Sequence, residues 1–129
     1  MKLEFVRTDV LRNVQRRLIE RYGGLPGVRD EGALESAIAR PENLAAYSEV
    51  SSAATHGAAL AWAILQNYPF ADGNKRAAFA ELMIFLEING YQLTCPEVEE
   101  TAMVLRAAAS EISEEEWTAW VERSVTQMS

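Results

Sequence analysis

Residues 67–76 read Asn-Tyr-Pro-Phe-Ala-Asp-Gly-Asn-Lys-Arg, and most of the chain's candidate chemistry lies there. Asp72-Gly73-Asn74 is strong turn sequence running straight into a helical stretch. A helix N-terminus exposes free N–H groups and partial positive charge, so it favours anions. Lys75 and Arg76 nevertheless occupy that first turn, which costs several tenths of a kcal/mol each, on the order of what a helix dipole supplies. A bound polyanion would offset the cost. Gly73 permits close backbone approach, while Lys75 and Arg76 supply a point charge and a forked donor. Asp72 is the candidate metal ligand, since Mg²⁺ takes one or two carboxylates and completes its shell with phosphate oxygens and water. Phe70, behind Pro69, reads as the buried anchor of the loop. The local pattern fits a solvated helix start as well as an anion site. It is not a P-loop, whose glycines are spaced further apart and which ends in Lys-Ser/Thr.

Other reactive side chains are few. The one histidine, His56, lies about three helical turns upstream of Tyr68, roughly 15–18 Å along a helix, and reads as structural. Cys95 sits at the expected start of a helix, where a thiol pKa can fall, but nothing pairs with it and it too reads as structural. Trp62, Trp117 and Trp120 read as packing residues. Glu97, Glu99, Glu100 and Glu114 to Glu116 fall in first helical turns, where the dipole accounts for them without a metal.

The elements that must position the loop are helical. Val10, Leu11, Val14, Leu18, Ile19 and Tyr22 recur at helical spacing, with Thr8 or Asp9 as cap and Gly23-Gly24 as stop. Leu25 to Asp30 form a turn-rich loop. Asp30 caps a second helix that Pro41 is expected to end, leaving residues 41–50 as a loop. From Ser52 to Gln66 nearly every residue is apolar or small, as in a helix surrounded by protein. A long apolar helix follows the loop and closes at Asn89-Gly90. Two capping boxes are predicted: Thr94 with Glu97, stapled by Leu93 and Val98, and Ser113 with Glu116, stapled by Ile112 and Trp117. Residues 2–6 and 91–94 are at most short strands. The fold class is all-α, a bundle of about six helices in one domain spanning 1–129.

Composition narrows the partners. A net charge of −7 argues against nonspecific nucleic-acid or anionic-membrane binding. No apolar run reaches membrane-spanning length, and the N-terminus lacks a signal-peptide pattern. A single cysteine fits a reducing compartment, and the expected location is the cytoplasm.

"YPFADGNKR" resembles the Fic/Doc family signature His-Pro-Phe-x-Asp-Gly-Asn-(Gly or Lys)-Arg at every fixed position but the first. "IERYGGLPGVRDEGALESAIARPEN", "FLEINGYQL" and "ASEISEEEW" are similar to segments of the death-on-curing (Doc) branch, and Lys75 also points to that branch. The resemblance runs from about Leu11 to Val121. It implies an all-helical toxin of a toxin–antitoxin pair that uses ATP and Mg²⁺ to phosphorylate a threonine of elongation factor Tu and so stop translation. It also implies an antitoxin whose disordered tail folds on the toxin. By resemblance, Asp72 takes Mg²⁺, Gly73 and Asn74 form the anion-binding turn, Lys75 and Arg76 hold the phosphates, and Phe70 anchors the loop. Tyr68 stands where the family's general-base histidine stands. Imidazole titrates near neutrality, whereas a phenol's reference pKa is about 10, so losing the base costs on the order of 10² to 10⁴ in rate. The chain is therefore expected to be catalytically impaired. Alternatives are a Fic-type AMP transferase and a noncatalytic module that binds nucleotide or antitoxin.

Overall fold

The computed structural model describes residues 3–47 and 52–128. Six helices and a pair of short strands are found among them: α1 (Thr8–Tyr22), α2 (Glu31–Tyr47), α3 (Ala53–Asn67), α4 (Asn74–Ile88), β1 (Tyr91–Leu93), α5 (Glu97–Ala108), α6 (Glu114–Ser124) and β2 (Val125–Gln127). The all-α expectation holds. At the centre lies α3, which packs against α2, α4, α5 and α6. Its small residues make that possible. A Cβ on Gly57 would sit only 3.2 Å from the Phe85 ring, so α3 and α4 approach closely there. Trp117 of α6 is fully buried and donates its indole N–H to the Ala58 carbonyl at 3.0 Å, tying α6 to the same helix. Trp120 packs beside it, with the two rings tilted by 40° and their centroids 5.3 Å apart.

The helix limits show where local signals held. α6 carries the full capping box, with Glu116 N–H donating to Ser113 Oγ and Ser113 N–H to the Glu116 carboxylate, both at 3.1 Å. Asp30 accepts from the Ala33 N–H at the start of α2. Asn89 and Gly90 close α4, and the Asn89 side chain also bonds both main-chain groups of Glu4. That pairing holds the N-terminal segment without making it a strand.

Three expectations are corrected, and one element was not foreseen. At α1 the cap position belongs to Arg7, and Thr8 is already helical; Asp9 serves the first turn from within by accepting from the Val10 N–H. Pro41 does not stop α2, which continues to Tyr47; residues 48–50 of the expected loop lie outside the described residues. Leu34, Ala37 and Pro41 are all buried on one face, so packing outweighs the lost N–H. The Thr94–Glu97 box does not form, because Thr94 is drawn into the β1–β2 ladder. Its N–H donates to the Ser124 carbonyl, its hydroxyl meets that of Thr126 at 2.8 Å, and Pro96 takes the cap position. Val98 is 83% exposed, so no staple closes on Leu93. Finally, β2, which pairs antiparallel with β1 in the register Tyr91↔Gln127, was not anticipated.

Candidate active site

The turn between α3 and α4 is shaped from both ends. Tyr68 ends α3 in the left-handed region (φ 47°, ψ 59°), its N–H still bonded to the Ile64 carbonyl. Few residues other than glycine adopt this conformation, so the surroundings must hold it. They do: Arg29 donates from Nε to the Tyr68 carbonyl at 2.8 Å and from its terminal nitrogen to the Asn67 carbonyl at 2.7 Å. Phe70 is buried as expected of an anchor. Gly73 then turns the chain at φ 70° into the first residue of α4.

Two clamps fix the shape between those ends. Asn74 reaches back across the turn, accepting the Phe70 N–H at 3.0 Å and donating to the Phe70 carbonyl at 3.1 Å. Its side chain is thus committed to closing the loop, and only its main-chain N–H is left for a ligand. The second clamp is the turn-rich segment after α1. Val28 pairs with Phe70 in an antiparallel bridge, the Ala71 N–H donates to the Gly27 carbonyl, and the Arg29 and Asp30 N–H groups share the Pro69 carbonyl. Gln15, buried on α1, joins the two segments: its amide nitrogen donates to the Leu25 and Asp72 carbonyls, and its oxygen accepts the Gly27 N–H. Neither Gln15 nor this segment carried a functional signal in the sequence. Gln15 is the polar break in the apolar face of α1, which was the available clue.

The charged groups are left free by the same arrangement. Asp72 is exposed, with its carboxylate accepting the Gly73 N–H at 3.0 Å and the Leu25 N–H at 3.3 Å. Among the described residues Lys75 and Arg76 enter no ion pair, and the first-turn N–H groups of Asn74, Lys75 and Arg76 meet no hydrogen-bond acceptor. The Arg76 guanidinium lies over the Tyr22 ring, 4.3 Å from its centroid. All of these groups face one cavity of about 1000 Å³. Its opposite wall, unanticipated from sequence, comes from Cys95 and from Glu97, Glu100, Thr101 and Leu105 of α5. A smaller cavity of about 460 Å³ beside it shares Tyr68 and Lys75 and is lined by Arg106 and Glu111.

Tyr68 lines both cavities and is 45% exposed, and its hydroxyl donates to the Ala108 carbonyl at the end of α5 at 3.2 Å. His56 lies at the other end of α3, fully buried, with Nδ1 bonded to the Ser52 carbonyl; it takes no part in the cavity. Cys95 precedes α5 rather than opening it. Burial, with the Glu100 and Glu99 carboxylates, pushes its thiol up to about 11, the reverse of activation. Burial and nearby Glu97 likewise raise the Glu100 carboxyl above the usual carboxylate range.

A largely helical chain gathers, at one helix start beside an exposed carboxylate, cations that enter no ion pair and amides that meet no acceptor among the described residues, an arrangement with the chemistry to accept an anion. The Fic/DOC family model matches residues 5–86, and the chain belongs to that family. It is similar to "Protein kinase doc" of Escherichia phage P1, 38% identical over 96 residues covering 74% of this chain and 75% of that protein. It is also similar to "Toxin Doc" of Mycolicibacterium smegmatis, 42% identical over 76 residues covering 56% of each.

Proposed function

We propose that the chain is a Doc-type toxin partnered by a cognate antitoxin, built to move the terminal phosphate of ATP to a threonine of elongation factor Tu in the cytoplasm. The observation that carries this reading is the start of α4. Three unpaired N–H groups, Lys75 and Arg76 converge on one cavity with no acid among the described residues neutralising either cation. Such a site fits a polyphosphate, and phosphoryl transfer is mainly positioning and charge stabilisation. Lys75 and Arg76 hold the phosphates, Gly73 and the Asn74 amide close around them, and Phe70 and the Asn74 side chain keep the loop in shape. Asp72, exposed and free of ion pairs among the described residues, fits a Mg²⁺ ion that would neutralise charge on the phosphate oxygens. The kinase name of the phage relative and the toxin name of the mycobacterial one support the same reading.

In the reaction the threonine oxygen bonds to the terminal phosphorus, the bond to the bridging oxygen breaks, ADP leaves, and the hydroxyl proton needs an acceptor. Tyr68 stands in the position of the family's base, and a neutral phenol is too weak a base to take that proton, while its own hydroxyl proton is directed to the Ala108 carbonyl. Turnover is therefore impaired on the order of 10² to 10⁴. The test uses ATP labelled separately on the α- and γ-phosphates with purified elongation factor Tu. Tyr68→His should raise γ-label transfer by that factor, and equal turnover by the unaltered chain would sink the proposal. Label arriving only from the α-phosphate would replace it with AMP transfer. The Tyr68–Ala108 bond, which spans the α3–α4 turn and α5, favours a second reading, a noncatalytic nucleotide- or antitoxin-binding module. That reading predicts that histidine leaves transfer at background while binding persists. No helix among the described residues is long and apolar enough to cross a membrane.

A further inference from the structure

We propose that Tyr22 is a positioning residue for Arg76, a platform that aims the guanidinium into the cavity; this rests on the reading of that cavity as a nucleotide-phosphate site. Arginine is long and rotamer-rich, and an unconstrained one loses much of its contact energy to ordering. Arg76 has no hydrogen-bond or ion-pair partner among the described residues that would order it. What it has is the Tyr22 ring, 4.3 Å from centroid to Cζ.

The contact suits a phosphate-binding arginine because guanidinium is planar. Stacking uses its face and leaves the in-plane N–H fork open for phosphate oxygens, whereas a carboxylate partner would occupy the fork itself. Tyr22 is well placed for this. It is the last residue of α1, where Gly23 (φ 89°) turns the chain away with its N–H on the Ile19 carbonyl, and its half-exposed ring lines the cavity. The Tyr22 hydroxyl makes no hydrogen bond among the described residues, so the ring and not the phenol is the working part. Arg21 also approaches this ring, at 5.5 Å from its centroid, but it does not line the cavity.

The test is titration of the purified chain with the Mg²⁺ complex of adenylyl imidodiphosphate, which binds without turnover. Tyr22→Ala should weaken binding roughly two- to fivefold, the range of an exposed cation–π contact, and Tyr22→Phe should leave it unchanged. In an Arg76→Ala background, Tyr22→Ala should add nothing. In the free protein, Arg76 side-chain proton resonances should be shifted upfield by the ring and should lose that shift in Tyr22→Leu. A Tyr22→Ala loss that persists without Arg76 overturns the inference, because the ring would then act on the ligand itself. Binding that Arg76→Ala weakens and Tyr22→Ala does not also overturns it, while leaving the nucleotide site standing. Absence of binding by the unaltered chain overturns the site reading and the inference together.

Discussion

The start of α4 and its middle both carry ionisable side chains, and the fold treats them in opposite ways. At the start, Asp72, Lys75 and Arg76 are exposed to the cavity while the main chain beneath them is bonded by Asn74, Gln15 and the segment after α1. Two turns into the helix, Glu81 is fully buried and neither carboxylate oxygen finds a partner among the described residues; Nε2 of buried His56 likewise has none. Burial pushes the Glu81 carboxyl up to about 8, so it is held neutral. Charges kept in contact with water cost little and remain available to a ligand. A carboxyl taken out of water gives up its charge instead. The contrast separates a region whose charges stay in solvent from one whose carboxyl is taken out of it.

The largest expected effect tests the packed side. The folded chain keeps the Glu81 proton up to about pH 8, whereas the unfolded chain releases it above about 4.5. Its contribution is fully present below the unfolded value and is lost as pH rises through the folded one. Urea unfolding should therefore show stability falling by about 3 kcal/mol between pH 5 and 8, and Glu81→Gln should flatten that slope. An unchanged slope in the variant would mean that Glu81 is solvated and the contrast is false. On the loop side, Asn74→Ala removes both bonds to Phe70 and leaves a buried N–H unpaired, so denaturant unfolding should register a loss of about 2 kcal/mol. Gly24→Ala comes next. Its new Cβ would stand 2.6 Å from Asp72 Oδ2 on a backbone at φ 114°, which costs about 1–2 kcal/mol and displaces the carboxylate. Mg²⁺ dependence of nucleotide binding should weaken with it; unaltered Mg²⁺ dependence would remove Asp72 from the metal's shell. The smallest effect is the sharpest. Lys75→Ala should leave thermal stability unchanged or raised by a few tenths of a kcal/mol, since it removes a cation from the positive end of a helix, while nucleotide affinity falls. A variant that lost stability would show Lys75 working for the fold and not for a ligand.

Much of this region was legible in the sequence because its chemistry is contiguous. Phe70, Asp72, Gly73, Asn74, Lys75 and Arg76 lie within two helical turns, and the Ser113–Glu116 box lies within one. The Asn74 clamp was not read, although it spans only four residues, because an amide beside a turn fits several local bonds equally well. Gln15 was further out of reach, since its bond to Asp72 closes over 57 residues. At Thr94 the signal was read and then overruled, because a capping box and a strand ladder compete for the same threonine and the ladder with β2 won.

Sequence alone determined the helical class and gathered two cations and a carboxylate at one helix start. Each depends on residues within a few positions of one another, where backbone geometry and side-chain chemistry leave little choice. Only the tertiary structure decided that α2 runs through Pro41, that Gln15 and the segment after α1 hold the loop, that α5 supplies the facing wall, and that Tyr22 lies under Arg76. Those outcomes depend on which surfaces lose water together. Burial couples residues by distance in space, which local pattern does not record.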